Sequence, residues 1–244
     1  MEHMKKIFVG LFILLFSANV LAGELSQYSG PYIGIYMGYA KGDLKGNENF
    51  NDPNGPNVQN NISVYNNSLS KSLWGGLVGY NKIVSSNYLL GFEADYEQRN
   101  AQARSDFIDP TLSIANGNGQ VETKIRGASS VRLRVGRIFN NDKTLAYLTA
   151  GYGMANIKSN FALNDNGAVS VISKSDWNGG FTGGFGLEHF VNDSLSVRTE
   201  YRYSDYGKTN NVDVGTFSPN LSGFNEHIKY ENENSVRFGL MYHF

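Results

Sequence analysis

The sequence predicts an all-β protein, an eight-stranded antiparallel up-and-down transmembrane β-barrel. Three observations support this prediction. Eight segments alternate apolar with polar residues at a period of two, which is typical of β-strands. The 244 residues include 28 Gly, 15 Tyr and 15 Phe but only 5 Pro, a composition that suits strands with a crowded inner face. The links between segments are alternately short and long, as in barrels of the outer membrane.

The first four predicted strands span residues 32–40, 73–81, 89–99 and 126–139. The apolar face of the first holds Ile33, Ile35, Met37 and Tyr39. The second is less regular, with Trp74, Val78 and Tyr80 on the apolar face and Leu73 and Leu77 on the other. The third has an apolar face of Leu90, Phe92, Ala94 and Tyr96. The fourth has an apolar face of Val131, Leu133 and Val135.

The last four predicted strands span residues 145–157, 177–190, 195–203 and 235–244. Their apolar faces hold, in order, Leu148, Ala150, Tyr152 and Met154; Phe181, Phe185 and Leu187; Leu195, Val197, Tyr201 and Tyr203; and Val236, Phe238, Leu240, Tyr242 and Phe244. The eighth strand must pair with the first to leave no open edge in the membrane.

The links predict which side of the membrane each strand end reaches. Short links fall at 82–88, 140–144 and 191–194, and long polar links fall at 41–70, 100–123, 158–176 and 204–233. We therefore expect three short periplasmic turns and four long extracellular loops, with both chain ends on the periplasmic side.

The first 22 residues are typical of a secretory signal peptide, with two lysines before a short apolar run. We expect cleavage between Ala22 and Gly23, leaving 23–244 as the outer-membrane barrel domain. Met4 is an alternative start to Met1. Cleavage would leave 19 basic and 21 acidic residues, and this balance argues against nucleic acid as a partner. The chain contains no Cys, so its stability does not depend on disulfides.

The polar faces predict a charged barrel interior. An Arg or Lys on the lipid face costs about 2–4 kcal/mol near the midplane, and buried charges need partners. The inward residues are expected to be Glu93, Asp95, Glu97, Arg132, Arg134, Arg198, Glu200, Arg202 and Arg237. We expect the three acidic residues of the third strand to face Arg132 and Arg134 on the fourth. Either the charges line a pore or they form a salt-bridged plug, and eight strands favour the plug because side chains fill so narrow a barrel.

Alternation alone does not exclude a soluble, lipocalin-like barrel, in which the two faces would be reversed. The signal peptide, the many aromatic residues and the apolar last strand favour the membrane barrel.

Several segments resemble the porin-like outer-membrane β-barrel family, which includes small surface antigens and hemin-binding proteins of Gram-negative, especially alphaproteobacterial, cells. The similar segments are "GPYIGIYMGYAKGD", "GGLVGYN" with "LLGFEADY", "RLRVGRIF" with "AYLTAGYGMANIK", and "GFGLEHFVNDSLSVRTEYRYSDYG". The resemblance implies an eight-stranded barrel in the outer membrane, in contact with its lipid. It also implies that Tyr242 and Phe244 form a signal read by the barrel-assembly machinery.

The histidines give no support to catalysis. Some small outer-membrane barrels modify lipid with a His near the outer leaflet, but His189 and His243 fall near periplasmic strand ends. His227 falls in the last long link, where no motif places a nucleophile near it. No spacing for zinc, a P-loop or a nucleophile elbow occurs. We expect no catalytic residue, no metal site and no enzymatic activity.

The long links are where a partner would bind. The first is rich in asparagine, with Asn47, Asn49, Asn51, Asn54, Asn57, Asn60, Asn61, Asn66 and Asn67. The second and fourth contain Phe107, Ile108, Phe217, Leu221 and Phe224. These residues either close the loops over one another or bind a host molecule or hemin. Apart from hemin, we expect no cofactor. The sequence thus predicts a structural and surface-interaction barrel, with a narrow porin-like channel as the alternative.

Overall fold

The structure is a computed structural model that describes residues 27–50, 62–85, 87–108, 118–139, 143–165, 168–207, 209–213 and 224–244. Within them lie nine strands: β1 (Gly30–Phe50), β2 (Ile62–Ser85), β3 (Tyr88–Ile108), β4 (Asn118–Phe139), β5 (Thr144–Asp165), β6 (Ala168–Phe190), β7 (Leu195–Ser204), β8 (Thr209–Asp213) and β9 (Phe224–His243). The expected signal peptide and its cleavage site at Ala22 and Gly23 lie outside these residues. No helix in the described ranges is long and apolar enough to cross a membrane.

The strands form a closed antiparallel barrel. Successive strands pair from β1 to β7, β7 pairs with β9, and β1 pairs with β9 to close the ring. β7 lies beside Glu233–Tyr242 of β9, and β8 lies beside Asn225–Lys229 of the same strand. β7 and β8 therefore share one position in the ring, which has eight positions. The predicted fold class is confirmed.

The strands are much longer than predicted at the end of the barrel away from the short turns. The links predicted at 41–70, 100–123, 158–176 and 204–233 are strand over much of their length, and β1 to β6 each have 21 to 24 residues. A membrane-spanning strand needs only about 9–11 residues. The extensions are polar because they lie beyond the membrane, where neither face of a strand needs an apolar row.

Several residues that were predicted to lie in loops therefore lie in strands. Asn47 and Asn49 are in β1, Asn66 and Asn67 in β2, Phe107 and Ile108 in β3, and Phe224 and His227 in β9. The other residues of the predicted loop sets, Asn51, Asn54, Asn57, Asn60, Asn61, Phe217 and Leu221, lie outside the described residues. The turn at 191–194 is as predicted, and Asn192 closes it by accepting hydrogen bonds from the backbone N–H groups of Ser194 and Leu195.

The two faces of the strands alternate as expected for a barrel in lipid. Apolar side chains point outward, and Ile35, Trp74 and Leu148 are each about two-thirds exposed (67%, 66% and 66%). The charged side chains that the sequence assigns to the inner face are buried, and Leu73 and Leu77 are buried with them. The reversed, lipocalin-like arrangement does not occur in the described strands.

Above the level of the membrane the barrel divides into two sheets. The pairing of β2 with β3 ends at Leu73 and Arg99, and the pairing of β6 with β7 ends at Thr182 and Ser204. Beyond these pairs β1, β2, β8 and β9 form one four-stranded sheet, and β3 to β6 form another. The Asp205 N–H still donates to the Phe181 carbonyl oxygen at 2.8 Å, and beyond this bond no described strand pairs with the edges of β2, β3, β6 and β8 across the two gaps.

The segment before β1 closes the opposite, short-turn end. Tyr28 is fully buried among Leu89, Ile138, Leu145 and Phe190. Its hydroxyl lies 2.9 Å from the carbonyl oxygens of Lys143 and Glu188. Burial raises the pKa of the Tyr28 hydroxyl far above its ordinary value, so the group stays protonated as a donor. The short connections assign this end to the periplasm.

Candidate functional site

The barrel interior holds a set of buried charges that we call the lumenal charge network. Among the described residues it comprises six carboxylates and six guanidinium groups: Glu93, Asp95, Glu97, Glu188, Glu200 and Glu233, with Arg99, Arg132, Arg134, Arg198, Arg202 and Arg237. All have less than a tenth of their surface exposed. The formal charges of these twelve residues cancel. All nine inward residues named from the sequence belong to this set.

The layer of the network nearest the periplasm centres on Glu188. Its carboxylate accepts hydrogen bonds from Arg134 at 2.5 Å and from Arg198 at 2.8 Å. Nε2 of His243 lies 2.8 Å away, and the Ser196 hydroxyl donates at 2.7 Å. Glu188 and His243 were not among the residues predicted for the network, although the alternation of β6 places Glu188 on the same face as Gly186.

The middle layer centres on Arg132. Its guanidinium contacts Glu93 at 2.8 Å, Asp95 at 3.0 Å and Glu200 at 2.9 Å. Arg202 lies on the other side of this group and contacts Asp95 at 3.1 Å and Glu200 at 2.9 Å. Side chains from β3, β4 and β7 thus meet at the barrel axis and neutralise one another.

The outermost layer corrects one sequence prediction. Glu97 does not contact Arg132 or Arg134; it pairs with Arg99 and, at 3.0 Å, with Arg237. Glu93 is directly opposite Arg132, and because β3 and β4 are antiparallel, Glu97 falls opposite Ala128. Arg99 also binds Glu233, and neither residue was in the predicted set.

Tyrosines link the layers. The hydroxyl of Tyr32 donates to Glu93 at 2.6 Å, that of Tyr36 to Glu97 at 3.1 Å, and that of Tyr147 to Glu200 at 2.9 Å. The Arg134 guanidinium lies 3.9 Å from the centre of the Tyr147 ring, within the range of cation–π attraction. Tyr147 fits because Gly186 lies beside it, where a Cβ would come within 2.4 Å of the phenol oxygen.

Beside the middle layer, the described side chains leave little free space in the lumen. A cavity between Tyr36, Leu77, Glu200 and Arg237 has a volume of about 10 Å³. A single water needs about 10–15 Å³ by the same measure. In the ranges that the structure describes, no group of three or more His, Asp or Glu side chains is arranged to hold a metal ion.

His189, Tyr242 and Phe244 lie at the periplasmic end. His189 is exposed on the outer surface, with Nδ1 2.9 Å from the Thr144 hydroxyl. Tyr242 and Phe244 are exposed outward and their rings make an edge contact, with centroids 5.1 Å apart. A role for this pair in assembly stays a prediction. The side chain of His227 is not among those described.

A closed antiparallel barrel with an apolar outer face and a salt-bridged interior is the architecture of an integral outer-membrane protein. The family model for the outer membrane protein beta-barrel domain matches residues 8–244. The chain belongs to this family, and the resemblance noted in the sequence is confirmed. It is an outer-membrane protein of a Gram-negative bacterium.

Named relatives agree with this assignment. The chain is 30% identical over 171 residues to a 31 kDa outer-membrane immunogenic protein of Brucella melitensis, covering 68% of this chain and 63% of the relative. It is 36% identical over 124 residues to a 22 kDa outer membrane protein of Rhizobium leguminosarum, covering 50% and 49%. The match thus spans less than two thirds of these relatives.

Solved structures of outer-membrane proteins are also similar to the chain. OprG from Pseudomonas aeruginosa is 12% identical with a TM-score of 0.47, and the match covers 89% of this chain and 97% of OprG. Ail from Yersinia pestis is 14% identical with a TM-score of 0.38, and the match covers 87% and 98%.

Proposed function

We propose that the protein is a structural, non-enzymatic barrel with a closed lumen, whose extended sheets are contact surfaces outside the cell. The observation that carries this proposal is the filling of the lumen by the lumenal charge network. Arg132 contacts three carboxylates, and the neighbouring cavity of about 10 Å³ holds no more than one water. A conducting pore needs a continuous water path past these side chains.

The network also supports a role in fixing the barrel's register. A slip of one residue between strands moves every inward side chain to the outer face. For β4 such a slip would bring Arg132 and Arg134 into lipid, at about 2–4 kcal/mol each near the midplane. Buried ion pairs do not in general add stability over apolar packing. Their value here is that they make other registers costly.

The division into two sheets supports the surface role. Unpaired strand edges are templates for pairing with another chain, and no described strand pairs with the edges of β2, β3, β6 and β8 across the two gaps above the membrane. The Brucella relative is named an immunogenic outer-membrane protein, which favours surface exposure here too. The partner we propose is a host protein segment in extended conformation.

Hemin binding at the extracellular end stays a prediction. It was based on Phe107, Ile108, Phe217, Leu221 and Phe224, whose side chains are not among those described. A titration of folded protein with hemin, followed at the Soret band, would test it. No saturable shift would count against it.

Conductance in planar lipid bilayers tests the closed lumen. We expect purified, folded protein to give no stepwise current, because the layers around Glu188, Arg132 and Glu97 block the water path. A gel band that shifts on boiling shows that the sample is folded. The double variant Arg132→Ala with Glu200→Ala removes one charge of each sign from the middle layer and serves as the matched comparison. Reproducible steps from the unsubstituted protein would overturn the proposal and favour the narrow channel.

A further inference from the structure

The outer surface of the barrel carries an apolar groove near its periplasmic end. Its volume is about 710 Å³, within the range of small-molecule sites. Most of the lining is apolar, and the outward side chains include Val135, Leu148, Phe185 and Tyr201. The groove is a feature of the lipid-facing wall and is separate from the lumenal charge network.

Strand register explains why the groove exists. Val135, Leu148, Phe185 and Tyr201 lie directly opposite one another on β4, β5, β6 and β7 and form a row of large side chains. The next outward row toward the periplasm includes Ala146 on β5 and Thr199 on β7, on either side of Leu187. The two small residues leave a depression below the large ones.

The periplasmic side of the groove is polar and basic. Arg137 lies beside Ala146 in the same row, is exposed, and has its guanidinium 5.8 Å from the centre of the Tyr88 ring. One row further toward the periplasm, the Thr144 hydroxyl and His189 form an exposed hydrogen-bonded pair. None of the described residues in these two rows carries a carboxylate. The Arg137 guanidinium therefore lies at the level of the inner-leaflet headgroups, and no described residue in either row is acidic.

We propose that this groove binds an anionic phospholipid of the inner leaflet. One acyl chain lies over Ala146 and Thr199, below the row of large side chains. The phosphate binds the Arg137 guanidinium, which presents parallel N–H donors suited to phosphate oxygens. Thr144 and His189 lie one row beyond and offer further hydrogen bonds to the headgroup. Charge complementarity favours this occupant over a second copy of the chain, which would have to cover Arg137.

Native mass spectrometry of the folded protein in detergent tests the site with phosphatidylglycerol as the probe. We expect one phosphatidylglycerol bound with preference over phosphatidylcholine. Arg137→Gln should weaken this binding about tenfold, because a charge-assisted hydrogen bond is lost. Ala146→Phe should abolish it by filling the groove.

Matched controls are Arg126→Gln and Ala150→Phe, which change an exposed Arg of β4 and an outward Ala of β5 outside the groove. Both should bind as the unsubstituted protein does. Equal binding by Arg137→Gln, Ala146→Phe and the controls would overturn the proposal. A dimer that Ala146→Phe disrupts without any dependence on lipid would also overturn it and assign the groove to a second copy.

Discussion

Replacing Arg132 with methionine is expected to lower the free energy of unfolding by about 3–5 kcal/mol. The guanidinium is fully buried and lies within 3.0 Å of Glu93, Asp95 and Glu200. Methionine fills part of the space but leaves three buried carboxylates with one cation fewer. Urea unfolding of protein folded into lipid vesicles measures the difference.

Arg126 provides the control for this substitution, because it lies on the same strand and is exposed. Arg126→Met should change the free energy of unfolding by less than about 0.5 kcal/mol. If the two variants are equally stable, Arg132 does not hold the middle layer together and the network is not a structural plug.

Replacing Leu133 with arginine is expected to cost about 2–4 kcal/mol, although Leu133 is next to Arg132 in the chain. Its side chain is 64% exposed on the outer face, in a column between Val131 and Val135. A charge there lies in the hydrocarbon layer and has no carboxylate to pair with. The same unfolding assay measures the loss.

The effect should depend on depth. Phe139 is the last residue of β4 and points outward at the periplasmic interface, so Phe139→Arg should cost only about 0–1 kcal/mol. Equal costs at Leu133 and Phe139 would contradict the assignment of this face to lipid. If Leu133→Arg is stable and Arg132→Met is not, the assignment of the inward face is supported and the assignment of the outer face to lipid is contradicted.

Alternation was sufficient to predict the faces and the closure of the barrel. Lipid and a packed lumen impose opposite polarity on alternate residues, so β4 reads Val131, Arg132, Leu133, Arg134 in the sequence. Alternation also predicted that Leu73 and Leu77 lie on the inner face of the less regular second strand. These features depend on the polarity of successive residues, which can be read from the sequence of a single strand.

Strand length and the pairing of charges were not predictable in the same way. Beyond the membrane no lipid requires an apolar outer face, so no apolar row in the sequence marks where β1 or β6 ends. Ion pairs across the lumen depend on how strands on opposite sides of the ring are staggered. Glu97 and Arg237 are 140 positions apart and come together only after closure. The alternation of β6 placed Glu188 on the inner face, but it could not identify the partners of Glu188, because they lie on β4, β7 and β9.

The central claim is that side chains from different walls meet across the lumen and close it. The coupling energy between Glu97 and Arg237 tests this claim most directly. It is obtained from the unfolding free energies of Glu97→Gln, Arg237→Met and the double variant. We predict a favourable coupling above about 1 kcal/mol that persists in 1 M salt, because the pair is buried at 3.0 Å. A coupling near zero, or one that salt removes, would contradict the closed lumen and indicate charges on the walls of a water-filled pore.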